Sequence, residues 1–289
     1  MRILILGIDG MIGHKIAQSL SYDYEVIGSS RKNINLEDIG LTKGLLFNND
    51  FLKNDYDTFL NKILPDIIIN CIGITTRRGI SNNSLNTDFI NNQFPHKILE
   101  WTSKKNKKLI HFSTDCVFSG KKGNYLDGDQ PDAEDIYGLS KAKGEINSEN
   151  ALTIRCSMIG REIYNHTELF EWLYSMKNKE IKGYTNVIYS GVTTFWMGQV
   201  INKLLSENMN LNGIYNIASK PISKYELLFK LSNVFKLNVN IIPNPNIKSN
   251  KVLISKKFTE ITGINIPNWD ELIGEFKNDS DKYYSLYKK

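Results

Sequence analysis

Tyr137 and Lys141 stand four residues apart in the stretch IYGLSKAKGE. On a helix that spacing puts both side chains on one face, so they can be aimed together into a cleft. A phenol ordinarily titrates at about pH 10, too high for easy proton transfer, and a neighbouring ammonium stabilises its anion. The pair has the chemistry of a proton donor and the cation that tunes it. Upstream, HFSTDCVFSG carries two hydroxyls, Ser113 and Thr114, to the end of an apolar run, where they could meet the oxygen of a bound carbonyl. A solvent-facing pair at helical spacing is the plain alternative, and the surrounding elements decide between the two.

The chain opens with an apolar run, MRILIL, then GIDGMIG, then the helically patterned HKIAQSL. A strand, a glycine turn and a helix start in that order form a cradle for a dinucleotide pyrophosphate: tight turn, close backbone approach, helix N-terminus aimed at the anion. Gly7, Gly10 and Gly13 are spaced GxxGxxG, and the amides of Gly10, Met11 and Ile12 are the expected donors. Asp9 is out of place beside a polyanion; it is expected to turn away and accept hydrogen bonds from nearby backbone amides. A carboxylate about 20 residues further on usually reads a free ribose 2′-hydroxyl. Here the region is GSSRKN, and Ser30 with Arg31 suits a 2′-phosphate. The cofactor expected is therefore NADP(H), with NAD(H) left open.

These groups need a scaffold. Apolar runs recur at 2–6, 24–28, 44–47, 67–72, 108–113 and 151–159, separated by helically spaced segments such as YDTFLNKIL and DFINNQFPHKILEWTSK. Near-continuous apolar strands alternating with helices predict an α/β fold, a doubly wound parallel sheet of the Rossmann kind. After about residue 157 the rhythm breaks. The expected division is a dinucleotide-binding domain over 1–156 and a smaller α+β substrate-binding lobe over 157–289, with the helix at 195–208 returning to the sheet. IYNIAS, VNIIP and the C-terminal helices are assigned to the lobe. His14 is expected beside the phosphates in a solvated position, and His111 in the core.

Composition limits the function classes. At 41% hydrophobic and 23% charged, the 289 residues suffice for one large or two modest domains. No apolar run reaches the roughly 18 residues of a membrane span, so a cytoplasmic protein without membrane association is expected. The three cysteines are far apart and set in apolar runs, which argues against disulfides and against a metal site. A net charge of +5 with scattered lysines gives no nucleic-acid stripe.

The chain resembles the extended short-chain dehydrogenase/reductases, and within them the dTDP-4-dehydrorhamnose reductase-like group. The carriers are GIDGMIG, PDIIINCIGI, INN at 90–92, STDCVFSG, YGLSK, RCSMIG and GVTT at 191–194. The resemblance implies NADPH-dependent reduction of a nucleotide-diphosphate 4-keto-6-deoxy sugar for a surface polysaccharide. Tyr137 would protonate the carbonyl oxygen, Lys141 would hold the nicotinamide ribose, and Thr114 would bind the same oxygen. Asn91 matches the asparagine that helps position the lysine, and Asp50 the residue that meets the adenine. Cys71 and Gly73 fall where the fourth strand's end flanks the cofactor, and Ser113, Cys116 and Val192 where substrate is bound. Arg77 and Arg78 could reach a sugar or phosphate, as could Arg155 unless it pairs within the core.

The departures keep other readings open. Rhamnose reductases of the group read STDYVF, where this chain has Cys116. The Asp-Glu pair of the 4,6-dehydratases is lacking, which argues against water elimination. GDP-fucose synthases carry a Cys and a His at about the places of Cys116 and His166, so a bifunctional epimerase-reductase using that thiol and imidazole is an alternative. A redox-neutral epimerase and a noncatalytic nucleotide-binding subunit are further ones. A homodimer is left open.

Overall fold

The computed structural model describes residues 1–75 and 84–288. The first half alternates strand and helix: β1 (Arg2–Leu6), α1 (Gly13–Leu20), β2 (Glu25–Ser30), β3 (Leu45–Asn48), α2 (Tyr56–Ile63), β4 (Ile67–Asn70), α3 (Ser84–Asp88), α4 (Phe94–Lys104), β5 (Lys108–Ser113), α5 (Ile136–Lys143) and β6 (Ala151–Arg155). The second half holds β7 (Met158–Ile159), α6 (Leu169–Ser175), β8 (Glu180–Tyr184), β9 (Val187–Tyr189), β10 (Val192–Thr193), α7 (Thr194–Ser206) and β11 (Gly213–Asn216). β12 (Ile222–Ser223), α8 (Lys224–Val234), β13 (Asn240–Asn244), β14 (Ser249–Asn250), α9 (Lys256–Thr262) and α10 (Trp269–Lys282) follow.

Seven strands form one parallel sheet in the order β11-β6-β5-β4-β1-β2-β3. Alternation of side chains sends Ile3 and Ile5 of β1 into a core shared with α1 and α7, and Leu4 and Leu6 into a second core with α2 and α4. Both faces are thus covered, as an all-parallel sheet requires. The strand order reverses between β1 and β4, so the loops after these two strands part and leave a crevice at their carboxyl ends. No helix among the described residues is long and apolar enough to cross a membrane.

Three strand assignments change. Residues 213–216 of the IYNIAS region leave the smaller lobe and become the seventh strand, pairing with β6 from Gly213↔Leu152 to Asn216↔Arg155. Helix α7 packs against α1, with the Ser19 hydroxyl donating to the Gly198 carbonyl at 2.8 Å, and returns the chain to that edge. The apolar run 151–159 is two strands, since β6 stops at Arg155 and β7 pairs with β10 instead. The run 67–72 ends as a strand at Asn70.

The segment before α4 takes a π-helical turn, Phe89–Gln93. Pro95 has no amide to give to the carbonyl four residues back, that of Asn91. That carbonyl is approached so closely by Gly144 that any side chain there would collide with it. The NNQFP sequence and Gly144 together seat the end of α5 against the turn.

Candidate active site and cofactor cleft

The glycine turn has the geometry its sequence implies. Gly7 takes a positive φ of 75°, open to glycine at little cost, and a Cβ at Gly13 would collide with the Gly7 carbonyl. The Gly10 amide is used inside the turn, donating to Gly7 at 3.0 Å, so it is not a free donor as expected. The amides of Met11 and Ile12 have no partner among the described residues and remain for an anion.

A cleft of about 330 Å³ runs from this turn across the carboxyl ends of β1, β2, β3 and β4. Gly7, Gly10, Met11, Ser30, Arg31, Asp50, Cys71 and Gly73 all line it. So do Ser29 and Asn49, whose buried Oγ and Nδ2 atoms have no hydrogen-bond partner among the described residues. Buried polar atoms left unpaired cost stability unless a ligand satisfies them. Arg31 and Lys32 stand at the same end, and the cleft fits the adenosine half of a nicotinamide dinucleotide. Asp50 accepts the Leu52 amide at 3.1 Å, which fixes the loop after β3.

Asp9 corrects its expectation. It lines the cleft, and its carboxylate accepts no hydrogen bond among the described residues. The turn spends its first amide on Gly7, and no other N–H reaches the Asp9 side chain.

The candidate proton-transfer groups meet at the end of β5. Asp135 caps α5 by accepting the Gly138 amide at 2.9 Å. Gly138 lies against the Cys116 carbonyl with no room for a side chain, and this contact sets Tyr137 beside Thr114 and Cys116. Lys141 is buried and donates to the Phe112 carbonyl at 2.7 Å. Tyr137, Lys141, Ser113, Phe112, the turn at Gly10–Ile12 and the loop at Cys71–Thr75 enclose one cavity of about 110 Å³.

The electrostatics differ from the expected lowering of the Tyr137 pKa by Lys141. Burial pushes the phenol up, with the Cys116 side chain adding to the effect and a hydrogen-bonding contribution from Thr114 opposing it. Lys141 is pushed down to about 8 by burial, against the pull of Glu145 and Cys71. The phenol stays protonated across the neutral range, and a proton donor for a reduced carbonyl needs that state.

Several assigned residues sit elsewhere. Asn91 is fully buried; its Oδ1 accepts the Ile74 amide at 2.9 Å, and its Nδ2 donates to the Ile74 carbonyl and to Ser140 Oγ. It therefore ties the loop after β4 to α5 and lines neither cavity. Ile12 lines the catalytic cavity and Val192 neither, being buried in β10. The Ser113 hydroxyl donates to Glu145 at 2.7 Å. Arg155 spends its guanidinium on the same carboxylate, Nε to Oε1 and NH2 to Oε2 both at 2.7 Å, so it pairs within the core.

Neither Cys116 nor His166 lines the cleft or the small cavity. The thiol lies beside Thr114 with its pKa pushed up to about 12 by burial and Asp115. His166 sits in a left-handed turn, its Nδ1 3.2 Å from Glu171. His14 is buried and not solvated, held between Gly10 and Tyr287. His111 is buried as expected, with Nδ1 against Asn70 at 3.2 Å and Nε2 without a partner among the described residues. Arg77 and Arg78 lie outside the described residues.

Some site residues gave no signal. Glu162, Tyr164 and Asn165 line the cofactor cleft, and Thr75 and Glu168 the catalytic cavity. Thr75 donates to Glu168 at 3.2 Å, and the Lys32 ammonium lies 3.7 Å from the Tyr164 ring centre. The loop that carries four of them is far from the glycine turn in sequence. Asn49 could have been found, since it immediately precedes Asp50 at a strand's carboxyl end.

Residues 1–281 match the family described as the RmlD substrate binding domain. The chain belongs to this family. It is the dTDP-4-dehydrorhamnose reductase-like group that the motifs resemble. Among its relatives, a dTDP-4-dehydrorhamnose reductase of Aggregatibacter actinomycetemcomitans is 26% identical over 238 residues, 78% of this chain and 76% of that protein. The spore coat polysaccharide biosynthesis protein SpsK of Bacillus subtilis is 24% identical over 290 residues, 95% of this chain and 96% of that protein. The fold is that of the dTDP-4-dehydrorhamnose reductase from Bacillus anthracis solved in complex with NADP. The TM-score is 0.79 at 20% identity, over 96% of this chain and 99% of that one.

Proposed function

We propose that this RmlD-family protein, a nicotinamide-dependent oxidoreductase, is an NADPH-dependent reductase of a nucleotide-activated 4-keto-6-deoxy sugar in surface polysaccharide synthesis. The observation that carries the reading is the shared cavity: Tyr137 and Lys141 face the same small space as the dinucleotide turn and the loop after β4. Bound there, the cofactor supplies a hydride. Tyr137, held protonated by burial, donates its O–H proton to the carbonyl oxygen. Thr114 is the hydroxyl beside it that can bind the same oxygen. Lys141, fixed by Phe112, supplies the positive charge of the site.

Arg31 and Lys32 at the adenosine end, with no carboxylate at the end of β2, support NADPH over NADH. The relatives' substrates support a sugar on a nucleotide diphosphate. The reading carries with it a cytoplasmic location. The test is incubation with NADPH and a panel of nucleotide keto-sugars, followed by loss of cofactor absorbance. Oxidation of one NADPH per sugar reduced is expected with a 4-keto-6-deoxy sugar; no consumption with any member of the panel would overturn the reading.

A further inference from the structure

The chain returns to the dinucleotide turn through its last helix. Lys15 of α1 and Asp279 of α10, both nearly inaccessible, pair at 2.6 Å. The 3-10 turn that follows, Tyr284–Tyr287, brings the buried Tyr287 hydroxyl to 2.9 Å from His14 Nε2. The other ring nitrogen, Nδ1, is 2.8 Å from the Gly10 carbonyl.

These partners fix the histidine's tautomer. A carbonyl only accepts, so Nδ1 carries the proton and donates to Gly10, and Nε2 accepts from the phenol. Burial, with Lys15 adjacent, pushes His14 down to about 3, so it stays neutral and the arrangement persists across the neutral range. Gly10 is the central glycine of the pyrophosphate cradle, and its carbonyl is thus held by a side chain that Tyr287 holds in turn.

The same Tyr287 ring carries Arg161, whose guanidinium lies 4.7 Å from the ring centre. Arg161 pairs with Glu171 at 2.6 Å, and Glu171 also accepts the Glu162 amide at 3.1 Å. The Glu162 carboxylate accepts the amides of Thr167 and Glu168 at 2.6 and 2.7 Å. Glu162 lines the cofactor cleft and Glu168 the catalytic cavity.

We propose that Tyr287 is a positioning residue for the reaction. It fixes the dinucleotide turn, through His14, and the loop at 161–168, through Arg161, against one another, so that a single phenol sets both walls of the site. A preformed wall spares the ligand the cost of ordering it, so loosening the turn appears in the cofactor's binding constant, and loosening the loop, which lines both cavities, appears in the constants of cofactor and sugar alike. The proposal rests on the cofactor reading above.

The experiment compares Tyr287→Phe, Tyr287→Leu and a control, Phe276→Leu, in the buried face of α10. Phe keeps the ring over Arg161 and removes only the O–H; the NADPH Kd is expected to rise about three- to tenfold, near the worth of one hydrogen bond, with the sugar KM at saturating NADPH within about twofold. Leu removes both contacts and is expected to raise Kd and KM together. The control lowers Tm and leaves both constants alone. If the two Tyr287 variants lower Tm like the control while Kd and KM stay at wild-type values, the residue is structural only and the proposal fails. Should neither Tyr287 variant fold, Arg161→Lys decides: it keeps the charge but not the planar stack, and because the loop it holds lines both the cofactor cleft and the small cavity, it must raise the NADPH Kd and the sugar KM together; constants both at wild-type values overturn the proposal. Wild-type protein that binds neither NADPH nor NADH defeats the cofactor reading instead.

Discussion

Lys141 donates its ammonium to the carbonyl of Phe112 at 2.7 Å, in a buried position where its pKa is pushed down to about 8. Tyr137 beside it is pushed up by the same burial. A rise in pH therefore discharges the lysine first. The kcat/KM for reduction should fall above about pH 8, while the phenol still carries its proton. Unfolding does not explain such a fall. The folded lysine binds its proton less tightly than the unfolded one, so between about 8 and the ordinary value near 10.5 this group's contribution to stability rises with pH. A kcat/KM flat from pH 7 to 9.5 in folded protein would mean that the lysine's charge is not used.

Tyr137→Phe keeps the ring and removes the proton. The loss in kcat should be about 10² to 10⁴-fold, the range for general acid catalysis. NADPH affinity, measured by fluorescence titration, should stay near wild type because the phenol is not a cradle donor. Unchanged turnover in this variant would assign the proton to another group and leave the cavity without its acid.

Glu145 carries three bonds at once, to Ser113 and twice to Arg155, with both ion-pair partners all but inaccessible. Glu145→Gln leaves a buried guanidinium without its counter-charge, at a cost of about 3 to 5 kcal/mol. Removing both charges as Glu145→Leu with Arg155→Met should restore much of that stability. Denaturant titrations of the two variants test this; a Gln variant within about 1 kcal/mol of wild type would show that the pair does not hold the end of β6.

Local signals carried the chemistry and topology carried the rest. Gly7, Gly10 and Gly13 were legible because close backbone approach needs glycine there, and Tyr137 with Lys141 because helical spacing alone puts them on one face. Ser113 and Arg155 were legible as positions but not as partners, since their common carboxylate, Glu145, comes from the end of a different element. Asn91 was found by motif, yet its work on Ile74 and Ser140 depends on a π-helical turn that hydrophobic periodicity does not reveal. Residues 213–216 were misplaced because α7 makes a long detour before returning to the sheet. Tyr164 and Glu168 reach the site on a loop whose direction is set by left-handed Asn165 and His166, a conformation to which both residue types are prone but which neither dictates.

The cleft proposed for the adenosine holds charges of both signs, and they should be separable by substitution. Arg31 lies at the end where a 2′-phosphate would bind, and a guanidinium-phosphate contact contributes about 1.5 to 3 kcal/mol. Arg31→Ala should weaken NADPH about ten- to hundredfold and leave NADH nearly unchanged, because only the 2′-phosphate distinguishes them. Asp9 lines the same cleft from the glycine turn, with no hydrogen bond to its carboxylate among the described residues. Its like charge should weaken either dinucleotide, so Asp9→Asn should tighten NADPH and NADH alike by about two- to fivefold, less at high salt. Isothermal titration of both cofactors with both variants separates the effects: one changes the ratio of affinities and the other their common level. A ratio unmoved by Arg31→Ala would remove the case for NADPH, and affinities unmoved by Asp9→Asn would mean that the carboxylate swings clear of the phosphates when the cofactor binds.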